Sequence, residues 1–199
     1  MEDLDSLVRR VDLDRWLATR FIGDRQARAD VIALYAFDHE LARVARVTSQ
    51  PLVGEMRLTW WSEAIAEIFD GRPARKHPVL VALADAIARH GLPRQPFNAI
   101  IDARLPEVDG GDPDEGAIAL NCMRLAAHIL GAPGADVGAA AFAWAAYLPA
   151  TLAKANQDLA DLPGKAFPAV AYVTLVRAEK PDPMTKRLRI AWAVLRGKL

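Results

Sequence analysis

Residues 30–61 read DVIALYAFDHELARVARVTSQPLVGEMRLTWW. Leu34, Phe37, Leu41 and Val44 recur at three- and four-residue spacing, and Leu58, Trp61, Ile65 and Ile68 repeat the pattern after the break at Ser49-Gln50-Pro51. Two amphipathic helices in tandem are therefore predicted, each with one apolar face. Off that face the first helix carries Glu40, Arg43 and Arg46, and the second carries Arg57. Trp60 and Trp61 are adjacent, so on a helix their side chains point about 100° apart. Trp60, with Glu40, is assigned to a cavity or partner surface; packing of both indoles in the core of a many-helix bundle is the competing reading.

Working outward, Leu13, Trp16, Leu17 and Phe21 predict a short amphipathic helix ending near Gly23, after which Asp24 is placed to cap the long helix. Pro51 prevents that helix from continuing, and Gly71 ends the next one. His77-Pro78 opens a helix closed by Gly91, and Pro93 and Pro96 bracket the start of another, with Phe97, Ile100, Ile101 and Leu105 on its apolar face. Asp109 to Gly116 (DGGDPDEG) reads as an exposed loop. Ile118 to Leu130 predicts a helix closed by Gly131; Pro133 opens a long alanine-rich helix. Pro163-Gly164 precedes the segment from Phe167 to Glu179, and Asp182-Pro183 starts a last helix that ends at Arg196-Gly197. No stretch shows strand alternation, so the expected fold is all-α, a single helical domain over residues 1–199.

The 199 residues suffice for a sizeable core, and 52% hydrophobic with 25% charged residues describes a globular chain. Twenty-five basic and 25 acidic residues cancel, which removes any bulk electrostatic case for nucleic acid or for strong attraction to anionic lipid. Any such signal must be local. The single Cys122 cannot form an internal disulfide, and Met1 to Ser6 lacks an apolar signal core, so a cytoplasmic location is expected. The uncharged run from Val137 to Ala153 is alanine-rich and contains Pro149, favouring a buried helix over a membrane span, which needs about 20 strongly apolar residues.

Phosphate-loop, dinucleotide and nucleophile-elbow motifs are absent. His39, His77, His90 and His128 show no zinc spacing and are assigned structural roles, His77 as a helix-entry residue. Glu63, Glu67 and Asp70 share a helix edge and read as its solvated side, and Asp158 and Asp161 read as a helix-end pair.

Taken together, LYAFDHELARV (Leu34 to Val44), GEMRLTWWSEAIAEIFDG (Gly54 to Gly71) and HPVLVAL (His77 to Leu83) resemble the squalene and phytoene synthase family of all-α isoprenoid synthases. The resemblance continues through Ile101 to Arg104, NCMRLAAHILGA (Asn121 to Ala132) and LRIAWAVLRGKL (Leu188 to Leu199), from about Asp14 onward. It implies the isoprenoid synthase fold. Enzymes of the family join two prenyl diphosphates head to head, and two aspartate-rich motifs hold Mg²⁺ against the leaving diphosphates. Aligned on YAF, the first motif falls on Ala42, Arg43 and Arg46, none of which ligates a metal. The second motif follows the alanine-rich helix in the enzymes; here Pro149 runs almost directly into a segment that resembles later helices, so the resemblance implies that an internal block is missing and a truncated form of the fold is expected.

One branch of the family, the mitochondrial complex I assembly factors, also carries an ELA-like sequence in place of the aspartates, resembled here by Glu40-Leu41-Ala42. The primary expectation is accordingly a non-catalytic protein with no catalytic residue, metal site or cofactor. It binds a protein partner, with peripheral association at the inner face of a membrane and a role in respiratory-complex assembly. A Mg²⁺-dependent head-to-head prenyl transferase is the alternative, and a binder of prenyl diphosphate or lipid phosphate is the third reading. On that last reading Arg43, Arg46 and Arg57 converge where diphosphates lie in the enzymes and grip phosphate oxygens without a metal. The competing reading pairs Arg43 and Arg46 with Glu40 or Glu55 as a solvated salt-bridge face.

Overall fold

The computed structural model describes residues 3–48, 50–177 and 181–199. Met1, Glu2, Ser49 and Glu179, which entered the sequence reading, lie outside the described residues. The chain opens with two short helices, α1 (Leu4–Val11) and α2 (Leu13–Thr19). Asp3 and Asp12 cap them, each carboxylate accepting a backbone N–H three residues on. The first of these was not predicted from sequence, because eight residues hold too little periodicity to separate a helix from an acidic tail.

Asp24 caps α3 (Arg25–Arg46) by accepting from the Gln26 and Ala27 amides at 2.7 and 3.0 Å. After the turn, Pro51 occupies the first position of α4 (Pro51–Phe69), where its missing N–H costs nothing. α5 (Pro78–His90) also starts on proline and ends on Gly91, whose φ of 62° is left-handed. α6 (Arg94–Asp102) and α7 (Leu105–Val108) follow. Leu105 does not extend the apolar face of α6 as expected; it starts α7 and is exposed, because Pro106 breaks the run.

The loop at 109–116 is shorter than predicted. Asp114 caps α8 (Glu115–Ile129), so Glu115 and Gly116 are helical. The alanine-rich stretch also departs from expectation: α9 (Gly138–Ala145) spans only eight residues. Tyr147 then takes a φ of 50°, and Pro149 begins a short 3₁₀ turn (Pro149–Thr151) leading into α10 (Leu152–Asp158). Two further 3₁₀ segments, Gly164–Ala169 and Ala171–Arg177, run through the interior with Ala166 to Val176 buried throughout. Pro168 denies this stretch an amide donor. Asp182 caps α11 (Pro183–Arg196), which ends on the left-handed Gly197.

All-α architecture is what the structure shows, with no strand among the described residues. α3 is the axis: α1, α2, α4, α5, α7 and α8 all pack on it. Leu34, Phe37, Leu41, Leu58 and Trp61 are all buried, and Phe37 meets Trp61 and Phe97 edge-to-face at 5.7 and 5.9 Å. Among the described residues no helix is long and apolar enough to cross a membrane.

Two aspartates stand on the buried side of α3 and each is neutralised there. Asp30 accepts from Arg89 Nη1 at 2.8 Å through both oxygens and lies 2.7 Å from His90 Nε2. Asp38 is held by Arg15 and Arg104 at 2.7 and 2.6 Å. A carboxylate is tolerated in such a place only when paired.

Candidate functional site

Glu40, Arg43 and Val44 fall on successive turns of α3 with Val47 capping its end, and Arg57, Trp60 and Trp61 fall on successive turns of α4. With His77 at the entry of α5, these eight residues line one cleft of about 230 Å³. Its base is apolar: Val44 and Trp61 are each 5% exposed, whereas Trp60 is 37% exposed. The tandem indoles thus divide their roles, Trp61 entering the core and Trp60 presenting its ring at the surface.

The aromatic wall is held from behind. Trp61 meets His77 edge-on at 4.9 Å and Trp60 at 5.2 Å, and the Arg75 guanidinium lies 5.1 Å from the centre of the Trp60 ring. Arg75 is itself fixed, donating to Glu67 at 2.8 and 3.0 Å, to Glu63 at 3.1 Å and to the Trp60 carbonyl at 3.2 Å. Glu63 and Glu67 therefore serve to anchor the arginine that backs Trp60. Sequence reading missed Arg75, since the loop bringing it to α4 has no periodicity to read.

Arg43 donates to Glu40 at 3.4 Å, with side-chain exposures of 57% and 17%. With Arg43 in solvent and the bond this long, the pair contributes about 1 kcal/mol at most. Arg57 forms no ion pair among the described residues, so the cleft presents two guanidiniums against one carboxylate. Arg46 does not join them. It lies on the flank of α3 toward His39, where burial first and the Arg46 charge second hold the imidazole pKa below its ordinary value. Of Arg43, Arg46 and Arg57, expected to converge, Arg43 and Arg57 line the cleft, whereas Arg46 stands about 120° around α3 from Glu40 and is not among the lining residues.

His77 was assigned only to helix entry, and it does occupy that position. It also forms a wall of the cleft. Its Nδ1 is buried without a hydrogen-bond partner among the described residues. Burial lowers its pKa, opposed by Glu40 and assisted by Arg43. Glu40, Arg43 and His77 are shared with a second groove of about 520 Å³, whose far wall is Leu4, Leu7 and Arg10 of α1.

Magnesium does not fit this donor set. One carboxylate already paired with a guanidinium offers no chelating cluster, and guanidiniums do not ligate cations. Among the described residues no group of three or more His, Cys, Asp or Glu side chains is placed to hold a metal. Asp158 and Asp161 border a separate cleft of about 440 Å³ near Pro133 and Pro163, where Asp158 pairs with Lys154.

In comparison with known proteins, the family model for squalene/phytoene synthase matches residues 8–130, a span that includes α3, α4 and α5. The chain belongs to the squalene/phytoene synthase family. The match runs from Val8 in α1 to Leu130 after α8, so the C-terminal likeness at Leu188 to Leu199 lies beyond it. Among curated relatives, NADH dehydrogenase (ubiquinone) complex I, assembly factor 6 of Homo sapiens is 31% identical over 103 residues, covering 52% of this chain and 30% of that protein. The Bos taurus protein of the same name is 30% identical over the same length, again 52% of this chain and 30% of the relative. The match to this chain therefore spans less than a third of the length of these relatives. No solved structure matches.

Proposed function

We propose that this chain is a non-catalytic member of its family that works by holding a protein partner during assembly of a respiratory complex. The observation that carries the reading is the chemistry of the cleft. Where metal-bound diphosphate would demand carboxylates, the cleft offers Arg43 and Arg57 and the single, already paired carboxylate of Glu40. Relatives named as a complex I assembly factor support the biological role.

Beside the cleft, Leu52, Met56 and Trp60 expose one apolar stripe along α4, with Val47 across from it. An amphipathic partner helix bearing an acidic residue suits this surface, its apolar face on the stripe and its carboxylate toward Arg57. In a strain of the native organism lacking the gene, loss of assembled NADH dehydrogenase on native gels is expected. Wild-type protein restores it and the Met56→Asp, Trp60→Asp double variant does not. Normal assembly in the deletion strain overturns the reading.

A second reading, metal-free binding of a phosphorylated lipid, is favoured by one observation: Arg57 faces the cleft without a carboxylate partner among the described residues. A guanidinium binds phosphate oxygens in bidentate fashion.

A further inference from the structure

We infer that α11 is a docking surface for an anionic lipid bilayer. Met184, Leu188, Trp192 and Leu195 are 63%, 64%, 55% and 78% exposed. Their spacing of four, four and three places all of them on one face of the helix. The opposite face, with Ile190 and Ala193 buried, packs on α2 and on the 3₁₀ segments. This inner face is locked in place: Lys186 donates to Asp14 at 2.6 Å, and just beyond the helix the Leu199 amide donates to Asn156 at 2.7 Å. The outward stripe is therefore a permanent feature of the folded chain.

Scattered exposed apolar side chains are ordinary, but four large ones in line are a surface seeking a partner. Charge decides which partner. Residues 183–196 contain no acidic side chain, and Arg187 on one flank of the stripe and Arg189 and Arg196 on the other form no ion pair among the described residues. The Arg196 guanidinium lies 4.3 Å from the centre of the Trp192 ring. An apolar stripe carrying tryptophan, flanked by Arg187 on one side and by Arg189 and Arg196 on the other, is the pattern of a helix lying in the plane of a membrane interface, its stems in the acyl boundary and its cations among phosphates. A neutral chain overall thus concentrates a local cationic face on one element. The helix lies in the surface and does not span it.

Flotation of the full chain with vesicles tests this. Binding is expected to vesicles of phosphatidylcholine and phosphatidylglycerol in equal parts, with little to phosphatidylcholine alone, and added salt weakens it. Each cation near an anionic surface contributes about fivefold, so the Arg187→Gln, Arg189→Gln, Arg196→Gln variant loses on the order of a hundredfold in affinity. Leu188→Asp abolishes binding while the circular dichroism of the protein is unchanged. Lipids brominated on the acyl chain quench wild-type fluorescence, and Trp192→Phe removes that quenching. Absence of binding to anionic vesicles at low salt overturns the inference, as does binding insensitive to both Leu188→Asp and Trp192→Phe. A dimer that dissociates on Leu188→Asp, with no vesicle binding, assigns the stripe to a second copy and overturns it equally.

Discussion

Arg104 Nη2 donates to Asp38 Oδ1 at 2.6 Å across a sequence separation of 66 residues. Arg15 donates to the other oxygen at 2.7 Å while its guanidinium lies 4.8 Å from the centre of the Tyr35 ring. The triad ties α2, the turn before α7 and the middle of α3 into one unit, directly behind the turn of α3 that carries Glu40. Burial pushes the Asp38 carboxyl up, and the two guanidiniums more than offset that, leaving it below the usual carboxylate range. Asp38→Ala leaves Arg15 with Asp12 alone and Arg104 with Glu107 alone, and is expected to cost about 3 kcal/mol, the low end for breaking a buried pair. Urea denaturation measures it; a change below about 1 kcal/mol contradicts the assigned role.

Histidine titration gives a second expectation. Burial lowers the pKa of both His39 and His77 in the folded state. The unfolded chain then binds more protons, so stability is complete above the unfolded histidine value of about 6.5 and falls as pH drops through it. Thermal midpoints measured between about pH 8 and pH 5 should decline, and the His39→Asn, His77→Phe variant should flatten the decline. An unchanged slope in that variant places the titration elsewhere.

Gly54 is a close-approach glycine. A Cβ built there meets Val108 Cγ1 at 1.9 Å, so α4 reaches α7 only because the side chain is missing. Alanine gains about 1 kcal/mol in helix propensity but overpacks at a cost of about 1–3 kcal/mol. Gly54→Ala alone is expected to destabilise, and the same change in a Val108→Ala background to stabilise. Additive effects in that double-mutant cycle would rule out the contact.

Ligand chemistry separates the two functional readings. With Mg²⁺ and farnesyl or geranylgeranyl diphosphate no coupled product is expected, because nothing in the cleft supplies the several kcal/mol of leaving-group stabilisation that a metal provides. Product above a no-protein control refutes the non-catalytic reading. In EDTA, calorimetric binding of pyrophosphate or a prenyl diphosphate that is lost in Arg43→Ala and Arg57→Ala supports the phosphorylated-lipid reading. Absence of binding at sub-millimolar ligand removes it.

Helices α3, α4 and α5 were legible because their signals are local. Asp24, Pro51, Pro78 and Gly91 act within a turn of themselves, and the apolar spacing of Leu34 to Val44 needs no partner to be read. The alanine-rich segment misled for the opposite reason: alanine favours helix, but its end at Tyr147 departs from local propensity. Of the candidate site, Glu40, Arg43, Arg57 and Trp60 do meet in one cleft. His77 and Arg75 were not readable, since a helix-entry histidine and a loop arginine look alike whatever they face.

By itself, then, the sequence determined the helical class, most of the caps and breaks, the tandem that marks the family, and the absence of carboxylates at Ala42, Arg43 and Arg46. The tertiary structure alone decided which faces are covered. It made Asp38 the centre of a buried ion network, left Arg46 out of the cleft that Arg43 and Arg57 line, and left Leu188 and Trp192 outside while burying Ile190. In α11 apolar residues occur on both sides of the helix, so periodicity could not say which side packs; that choice was made by α2 and the buried 3₁₀ segments, through contacts far apart in the chain.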